Sequence, residues 1–287
     1  MPKVSVLMPL YNTNESHLRE AIESVLNQTF TDFEFLLLND SPDNTRLDAV
    51  VAEYKDPRIK YSRNEKNIGI TPSRNKLVEL AQGEYLAVMD HDDISLPERF
   101  AKQVAYLDAH PETGVVGARV QNIGDNAKTS NYPENPRDIK LGLMYGCVIA
   151  HSCAMVRKSL LTEHGIRYEE VYSPSEDYAL WCRLLKYTEF ANLPEVLFRY
   201  RMYEGNTSKA QADKMARAAT AVQAFARADN PALYQELLLR GRYSTTIRLF
   251  GCIPFLKIKG TCSRRTIYLF DFIPLFTYKA VVKMPRA

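Results

Sequence analysis

At 287 residues, 46% of them hydrophobic, the chain has room for one large or two small domains and ample side chains for a substantial core, so it is globular. Five cysteines (Cys147, Cys153, Cys182, Cys252 and Cys262) are scattered without a Cys-x-x-Cys pair, which argues against a disulfide framework or a zinc site and fits a reducing cytosol. The net charge of +3 hides an asymmetry: from Arg240 onward there are ten Lys and Arg against one acid, Asp271, while the rest carries 27 basic and 33 acidic residues, so a basic end on an acidic body suggests an anionic surface as the tail's partner.

The first residues run directly into the alternation Val4-Ser5-Val6-Leu7-Met8, and no signal peptide is expected ahead of the fold. Val4 to Leu10 reads as a strand, and Leu18, Ala21, Ile22, Val25 and Leu26 follow at helical spacing. A second strand covers Glu34 to Leu38 and closes in the turn-rich stretch Asn39 to Asn44, and Ile59 to Tyr61 is a short third. Thr71 as cap and Pro72 at the first position predict a helix to about Gln82. This βαβ rhythm predicts a mainly parallel sheet covered by helices, with loops gathered at one rim. Three of those loops are unusually polar: Pro9-Leu10-Tyr11-Asn12, Asn39-Asp40, and Asn67-Ile68-Gly69 leading to Arg74-Asn75. A nucleotide suits such a crevice, with Asp40 accepting from a base edge, Tyr11 packing on the ring and Arg74 offsetting phosphate charge; each residue taken singly is equally an ordinary turn or surface residue.

Next comes Tyr85 to Asp93, an apolar run of strand length that ends in three carboxylates within four residues: Asp90, Asp92 and Asp93. Charges at the carboxyl end of a strand in an open α/β sheet look into a crevice rather than a core. Asp90 and Asp92 can present oxygens to one hard cation such as Mg²⁺ or Mn²⁺. Part of this acidity also fits a helix start, because Ser95-Leu96-Pro97-Glu98 reads as a capping box.

Beyond that helix, Gly114 to Val120 reads as a strand, Gly124 to Asn135 as a polar loop, and Val148 to Arg157 as a strand with His151 inside it. Ser175-Glu176-Asp177 followed by Leu180, Trp181, Leu184 and Leu185 describes a helix with an acidic first turn and one buried face. Val196 to Arg201 is strand-like, and residues 209–228 form a helix with Met215, Ala218, Ala219, Val222 and Phe225 on one face. In the tail, Leu249-Phe250-Gly251-Cys252-Ile253-Pro254-Phe255-Leu256 recurs twenty residues later as Leu269-Phe270-Asp271-Phe272-Ile273-Pro274-Leu275-Phe276. Each copy is too short and interrupted to span a bilayer, and its aromatics, leucines and following cations fit a surface lying on anionic lipid or a hairpin packed on the protein's own core.

Taken together, Pro9-x-Tyr11-Asn12, Asp40, Asn67-x-Gly69-x-x-x-x-Arg74-Asn75 and Asp90-His91-Asp92-Asp93 resemble, in order and spacing, the family 2 glycosyltransferases of the GT-A fold over roughly residues 3–208. The resemblance implies an inverting, divalent-cation-dependent (Mn²⁺ or Mg²⁺) enzyme using a nucleotide-sugar, usually a UDP-sugar. It puts Asp40 near the base, Asp90 near the ribose and Asp92 on the metal, with Pro9, Tyr11, Asn12, Asn67, Gly69, Arg74, His91 and Arg201 also on the donor side. By the same resemblance Glu176 and Asp177 form the acidic pair at the acceptor, Asp177 being the general base, with His151 and Trp181 as further acceptor-side candidates. One departure stands out, for relatives read Tyr-Arg-x-His where this chain has Tyr203 in place of the His.

The expected organisation is a Rossmann-like GT-A catalytic domain over residues 1–208, its nucleotide-sugar half being 1–110 and its acceptor half 111–208. A helical extension over 209–239 and a basic amphipathic repeat tail over 240–287 follow. The expected function is transfer of a sugar to a saccharide or lipid-linked hydroxyl in surface-polysaccharide or lipopolysaccharide assembly, by a cytoplasmic protein peripheral at the inner face of the plasma membrane and without a nucleic-acid partner. The alternatives are a sugar nucleotidylyltransferase, although no Gly-rich loop follows the first strand, or an inactive carbohydrate-binding subunit.

Overall fold

The computed structural model describes residues 1–124, 127–203, 206 and 210–240, together with the backbone of four strands within 243–279. Residues 1–228 form one compact unit and residues 229–287 a second.

Three βα repeats build the first half. Strands β1 (Val4–Leu10), β2 (Phe33–Asn39), β3 (Ile59–Arg63) and β4 (Tyr85–Val88) alternate with helices α1 (Glu15–Leu26), α2 (Thr45–Ala52) and α3 (Ile70–Leu80). Strands β1 and β2 are buried along their whole length, as a parallel sheet covered on both faces requires. In α1, Leu18, Ala21, Ile22 and Val25 are the buried face, at the spacing read from sequence. The two-residue strand β5 (Ile94–Ser95), helix α4 (Arg99–Ala109) and strand β6 (Thr113–Gly124) come next. After them come α5 (Pro136–Gly142), β7 (Met155–Arg157), α6 (Lys158–Glu163), α7 (Glu176–Leu184), β8 (Glu189–Met202), α8 (Ala212–Asp229) and α9 (Pro231–Arg240). Strand order in the sheet is β3-β2-β1-β4-β7-β6-β8-β5. The first four are parallel, β7 is antiparallel to both β4 and β6, and β6 runs parallel to β8. This mixed sheet with flanking helices is the GT-A type.

Several local expectations change. Ser95 does not cap α4: its hydroxyl accepts from Gln28 Nε2 at 3.1 Å and its backbone pairs with β8, so the preceding residue of α4, Glu98, makes no side-chain cap. Helix α3 begins one residue earlier than Thr71, with Gly69 as its cap at φ +90°, a backbone angle that glycine alone adopts without strain. His151 lies in a short 3₁₀ turn (His151–Cys153) rather than inside a strand, and only Met155–Arg157 of that run is extended. Helix α2 was hidden behind the turn-rich Asn39–Asn44 stretch.

The buried arginine of α4 helps to end β4 where it does. Arg99 is fully buried, and its Nη2 donates to the carbonyls of Val88 at 2.8 Å and Ala154 at 3.1 Å, while Nε donates to Gln103 Oε1 at 3.1 Å. It closes the carbonyls where β4 meets β7, one residue before the acidic turn begins.

In the second unit, β9 (Tyr243–Leu249), β10 (Ile253–Thr261), β11 (Arg264–Leu269) and β12 (Ile273–Lys279) form an antiparallel meander. The sequence repeat becomes a structural one: Leu249 pairs with Ile253 and Leu269 with Ile273, and both hairpins skip one residue at the equivalent place, Phe255 and Leu275. Thus, among the described residues, the C-terminal segment is helical to Arg240 and forms strands within 243–279. Phe250, Gly251, Cys252, Phe270, Asp271 and Phe272 of the two copies lie outside the described residues.

Candidate active site

Loops at the C-terminal ends of the parallel strands line a cleft on the rim expected to take the donor. A cleft of about 600 Å³ is lined by residues that include Tyr11 and Asn12 after β1, Asp40 and Ser41 after β2, and Lys66 and Asn67 before α3. Tyr11 is half exposed, and Asn12 has a left-handed backbone (φ 45°) and donates its N–H to Ser41 Oγ at 2.8 Å. Pro9 sits in β1 opposite Leu38. Asp40 is buried, and its carboxylate accepts from Asn64 Nδ2 at 2.8 Å, the Ile68 N–H at 2.9 Å and the Gly69 N–H at 2.8 Å. Asn67 Nδ2 returns to the Asp40 carbonyl at 3.2 Å. Asp40 is therefore the staple of the 64–69 loop as well as a wall of the cleft.

A second cluster joins the acidic turn after β4 to the start of α7. Arg74, on α3, donates to Glu176 Oε1 at 2.6 Å and reaches Asp90 Oδ1 at 3.5 Å, with its guanidinium 5.8 Å from the centre of the Tyr168 ring. Its burial works against the charge, but Asp90 and Glu176 outweigh that and raise its pKa. Asn75 holds the Tyr168 backbone at both ends, accepting its N–H at 3.0 Å and donating to its carbonyl at 2.9 Å. Glu176 is buried, and its Oε2 has no hydrogen-bond partner. Burial, aided by the charges of Glu176 and Asp90 and opposed by Arg74, pushes Asp177 from the ordinary 3.8 up to about 6. That is a carboxylate poised to take a proton near neutral pH.

His151 and Trp181 lie beside this cluster but behind its surface. His151 Nε2 is 2.8 Å from the Tyr168 hydroxyl, and its ring is 5.8 Å from that of Trp181. Burial, then the charges of Arg74 and Arg99, hold the imidazole well below its ordinary pKa. Trp181 is fully buried, and its ring forms part of the wall behind the cluster.

The third cluster lies on the other side of the acidic turn. Tyr203 OH donates to Asp92 Oδ2 at 2.8 Å, Arg201 Nε donates to the Asp92 carbonyl at 2.8 Å, and the Arg201 N–H donates to Asp93 Oδ1 at 2.8 Å. Arg201 Nη2 is paired with Glu20 at 2.6 Å. Asp93 is fully buried, and burial, then Asp90 and Asp92, raise its pKa well above the carboxylate range. His91 is partly buried, with Nδ1 enclosed and unpartnered. Among the described residues no set of three or more His, Cys, Asp or Glu side chains is arranged to hold an ion. The donor set nonetheless fits a hard cation, since Asp90 and Asp92 bring carboxylates to the rim and such ions commonly take one or two of these and complete their shell with phosphate oxygens.

The sequence brought out most of these groups but not Tyr168, Asn64, Arg99 or Glu20. Tyr168 lies in irregular chain, and the others look like ordinary helix or turn residues until the fold places them.

A mixed α/β sheet with a polar cleft, an acidic turn and an acidic helix start at its rim is the architecture of the GT-A fold. The model of the family described as glycosyl transferase family 2 matches residues 5–165, and the chain belongs to that family. An uncharacterized glycosyltransferase of Methanocaldococcus jannaschii is 36% identical over 208 residues, 70% of this chain and 71% of the relative. An amylovoran biosynthesis glycosyltransferase of Erwinia amylovora is 34% identical over 203 residues, 69% and 75% of the two chains. An Escherichia coli relative, named as a UDP-Glc:α-D-GlcNAc-diphosphoundecaprenol β-1,3-glucosyltransferase, is 28% identical over 208 residues, 71% and 79%. In fold the chain is similar to Staphylococcus aureus TarS 1-349 in complex with UDP-GlcNAc, with a TM-score of 0.62 at 19% identity over 82% of this chain and 79% of that one. It is also similar to a Pyrobaculum calidifontis mannosyltransferase in complex with GDP-Man and Mn²⁺, with a TM-score of 0.60 at 20% identity over 83% and 70%. The protein is a glycosyltransferase, and the nucleotidylyltransferase reading falls away.

Proposed function

We propose that this glycosyltransferase is inverting and cation-dependent, moving a sugar from a nucleotide-sugar, a UDP-sugar by preference, to a hydroxyl of a saccharide or lipid-linked acceptor during surface-polysaccharide assembly. The observation that carries this is that one largely enclosed arginine, Arg74, spans Asp90 on the donor side and Glu176 on the acceptor side, with Asp177 beside it. Tyr11, Asn12 and Asp40 receive the nucleoside. Asp177 accepts the proton of the acceptor hydroxyl as its oxygen bonds to the anomeric carbon, and the bond from that carbon to the diphosphate breaks on the opposite face, its electron pair leaving with the diphosphate. Arg74 holds Glu176 and Asp90 in place, so the two substrates meet in fixed geometry, which supplies much of the acceleration. A divalent cation held by Asp92 would offset the charge of the departing diphosphate. The named substrates of the relatives and neighbours support a nucleotide-sugar donor and a lipid-linked acceptor. The basic tail supports work at an anionic inner membrane face, and among the described residues no helix is long and apolar enough to cross a membrane.

Titrating UDP- and GDP-sugars calorimetrically, with Mn²⁺ and with chelator, tests this. Tighter binding of a UDP-sugar with Mn²⁺ is expected, lost in Asp92→Asn. Cation-independent binding, or an unchanged Asp92→Asn, would place the metal elsewhere.

A further inference from the structure

The end of β8 reaches across the rim and makes three hydrogen bonds to the two residues Asp92 and Asp93. Two of them go to main-chain or buried atoms and fix the turn. The third, from the Tyr203 hydroxyl, goes to the one carboxylate of this turn read as the cation's ligand. We propose that Tyr203 is a positioning residue for that ligand: its hydroxyl commits Asp92 Oδ2 to the protein and leaves Oδ1 as the oxygen offered to a divalent cation. This rests on the assignment of Asp92 to the cation.

The phenol is held so that it can do this. Its ring packs against His17 of α1, with centroids 5.7 Å apart and planes tilted by 56°. Its backbone N–H donates to Asn206 Oδ1 at 2.5 Å, and Asn206, itself buried, donates through Nδ2 to the Arg201 carbonyl at 2.9 Å. A tyrosine hydroxyl carries one O–H, and here it is directed at the Asp92 carboxylate. A neutral phenol that donates to a carboxylate is a poor ligand itself but a good orienting group. Small octahedral ions demand near-ideal placement of their few protein oxygens, and a carboxylate free to rotate loses rotamer entropy on binding. Outer hydrogen bonds of this kind are typically worth 10–100-fold in metal affinity. Three parts of the chain converge on the contact, because α1 supplies His17, the turn after β4 supplies Asp92 and the residue following β8 is Tyr203.

The test titrates Mn²⁺ into the full chain saturated with UDP, and in parallel with GDP, following calorimetry and the electron paramagnetic resonance of free Mn²⁺. Tyr203→Phe keeps the ring on His17 and deletes only the donor. Expected is a loss of about 10–100-fold in Mn²⁺ affinity, with nucleotide affinity in chelator and the melting temperature of the nucleotide-free protein unchanged. Unchanged or tighter Mn²⁺ binding overturns the proposal, tighter binding meaning that the hydroxyl competes with the ion. If Tyr203→Phe lowers the melting temperature, His17→Ala replaces it: weaker Mn²⁺ binding there supports the proposal, and unchanged binding overturns it. Wild-type protein that binds nucleotide but no Mn²⁺ overturns the assignment of Asp92 instead, a pattern distinct from a wild type that binds Mn²⁺ and a variant that matches it.

Discussion

At the scale of single residues, the proposed acceptor side turns on Glu176 and Asp177 beside Arg74, which also reaches Asp90. Asp177→Asn keeps the size of the side chain and removes the proton acceptor, so kcat for transfer should fall by ~10² to 10⁴ while donor affinity and melting temperature hold. A near-normal kcat would take Asp177 out of the mechanism. The pH dependence follows from the same group. Folding raises Asp177 from 3.8 to about 6, so its contribution to stability is full below pH 3.8 and is lost as the pH rises through 6. Activity moves the other way, because the ionised form is the base, and kcat should climb along a limb near pH 6. Glu176→Gln deletes a like charge and should move that limb to lower pH, whereas Arg74→Gln deletes the opposing charge and should move it higher. A limb that stays put in both variants would mean that some other group titrates. The acids themselves were legible in the sequence because adjacent carboxylates at a helix start are more than dipole compensation needs. That Arg74 serves Glu176 and Asp90 was not, because the pairing joins residues 102 and 16 positions apart.

At the scale of elements, strand and helix periodicity found the sheet and the buried face of α1, and it failed where tertiary contacts recruit a residue away from its local motif. Ser95 had the spacing of a cap, but β5 pairing and Gln28 took it; His151 lay in an apolar run, but the chain turns there to present its ring to Tyr168. The loop before α3 is the opposite case, an Asn-x-Gly already marked by its polarity that one distant carboxylate holds. Asp40 accepts three N–H donors there, and Asp40→Asn sets an NH₂ group against at least one of them. Leaving a buried donor unsatisfied costs about 1–3 kcal/mol, so the denaturation midpoint should drop accordingly. UDP affinity should fall with it, since the same loop lines the cleft. Unchanged stability in Asp40→Asn would show that the loop is held by other contacts.

At the scale of the molecule, the chain divides its charge as it divides its structure. The catalytic unit is net acidic, whereas the stretch from Arg240 onward carries ten cations against one acid on a meander of two equivalent bulged hairpins. The repeat was legible as sequence, and a hairpin was one of the two readings it offered, but the choice between them was not legible, because Leu-Phe-x-x-Ile-Pro reads equally as a short amphipathic run. With the lipid-linked acceptor proposed above, a duplicated cationic sheet in the same chain would raise the local concentration of that acceptor by holding the enzyme on the membrane surface. Each basic residue near an anionic bilayer contributes about 1 kcal/mol, an attraction confined to a Debye length of ~8–10 Å at physiological salt. Substituting Lys257, Lys259, Arg264 and Arg265 by Gln in the full chain removes four cations and leaves the strand sequence otherwise intact. Partitioning onto anionic vesicles should then fall on the order of a hundredfold or more, with little change on zwitterionic ones. Co-sedimentation at low and high salt measures it, and wild-type binding should itself weaken as salt rises. If the quadruple variant and the wild type bind anionic vesicles equally, the tail's charge serves something other than the membrane.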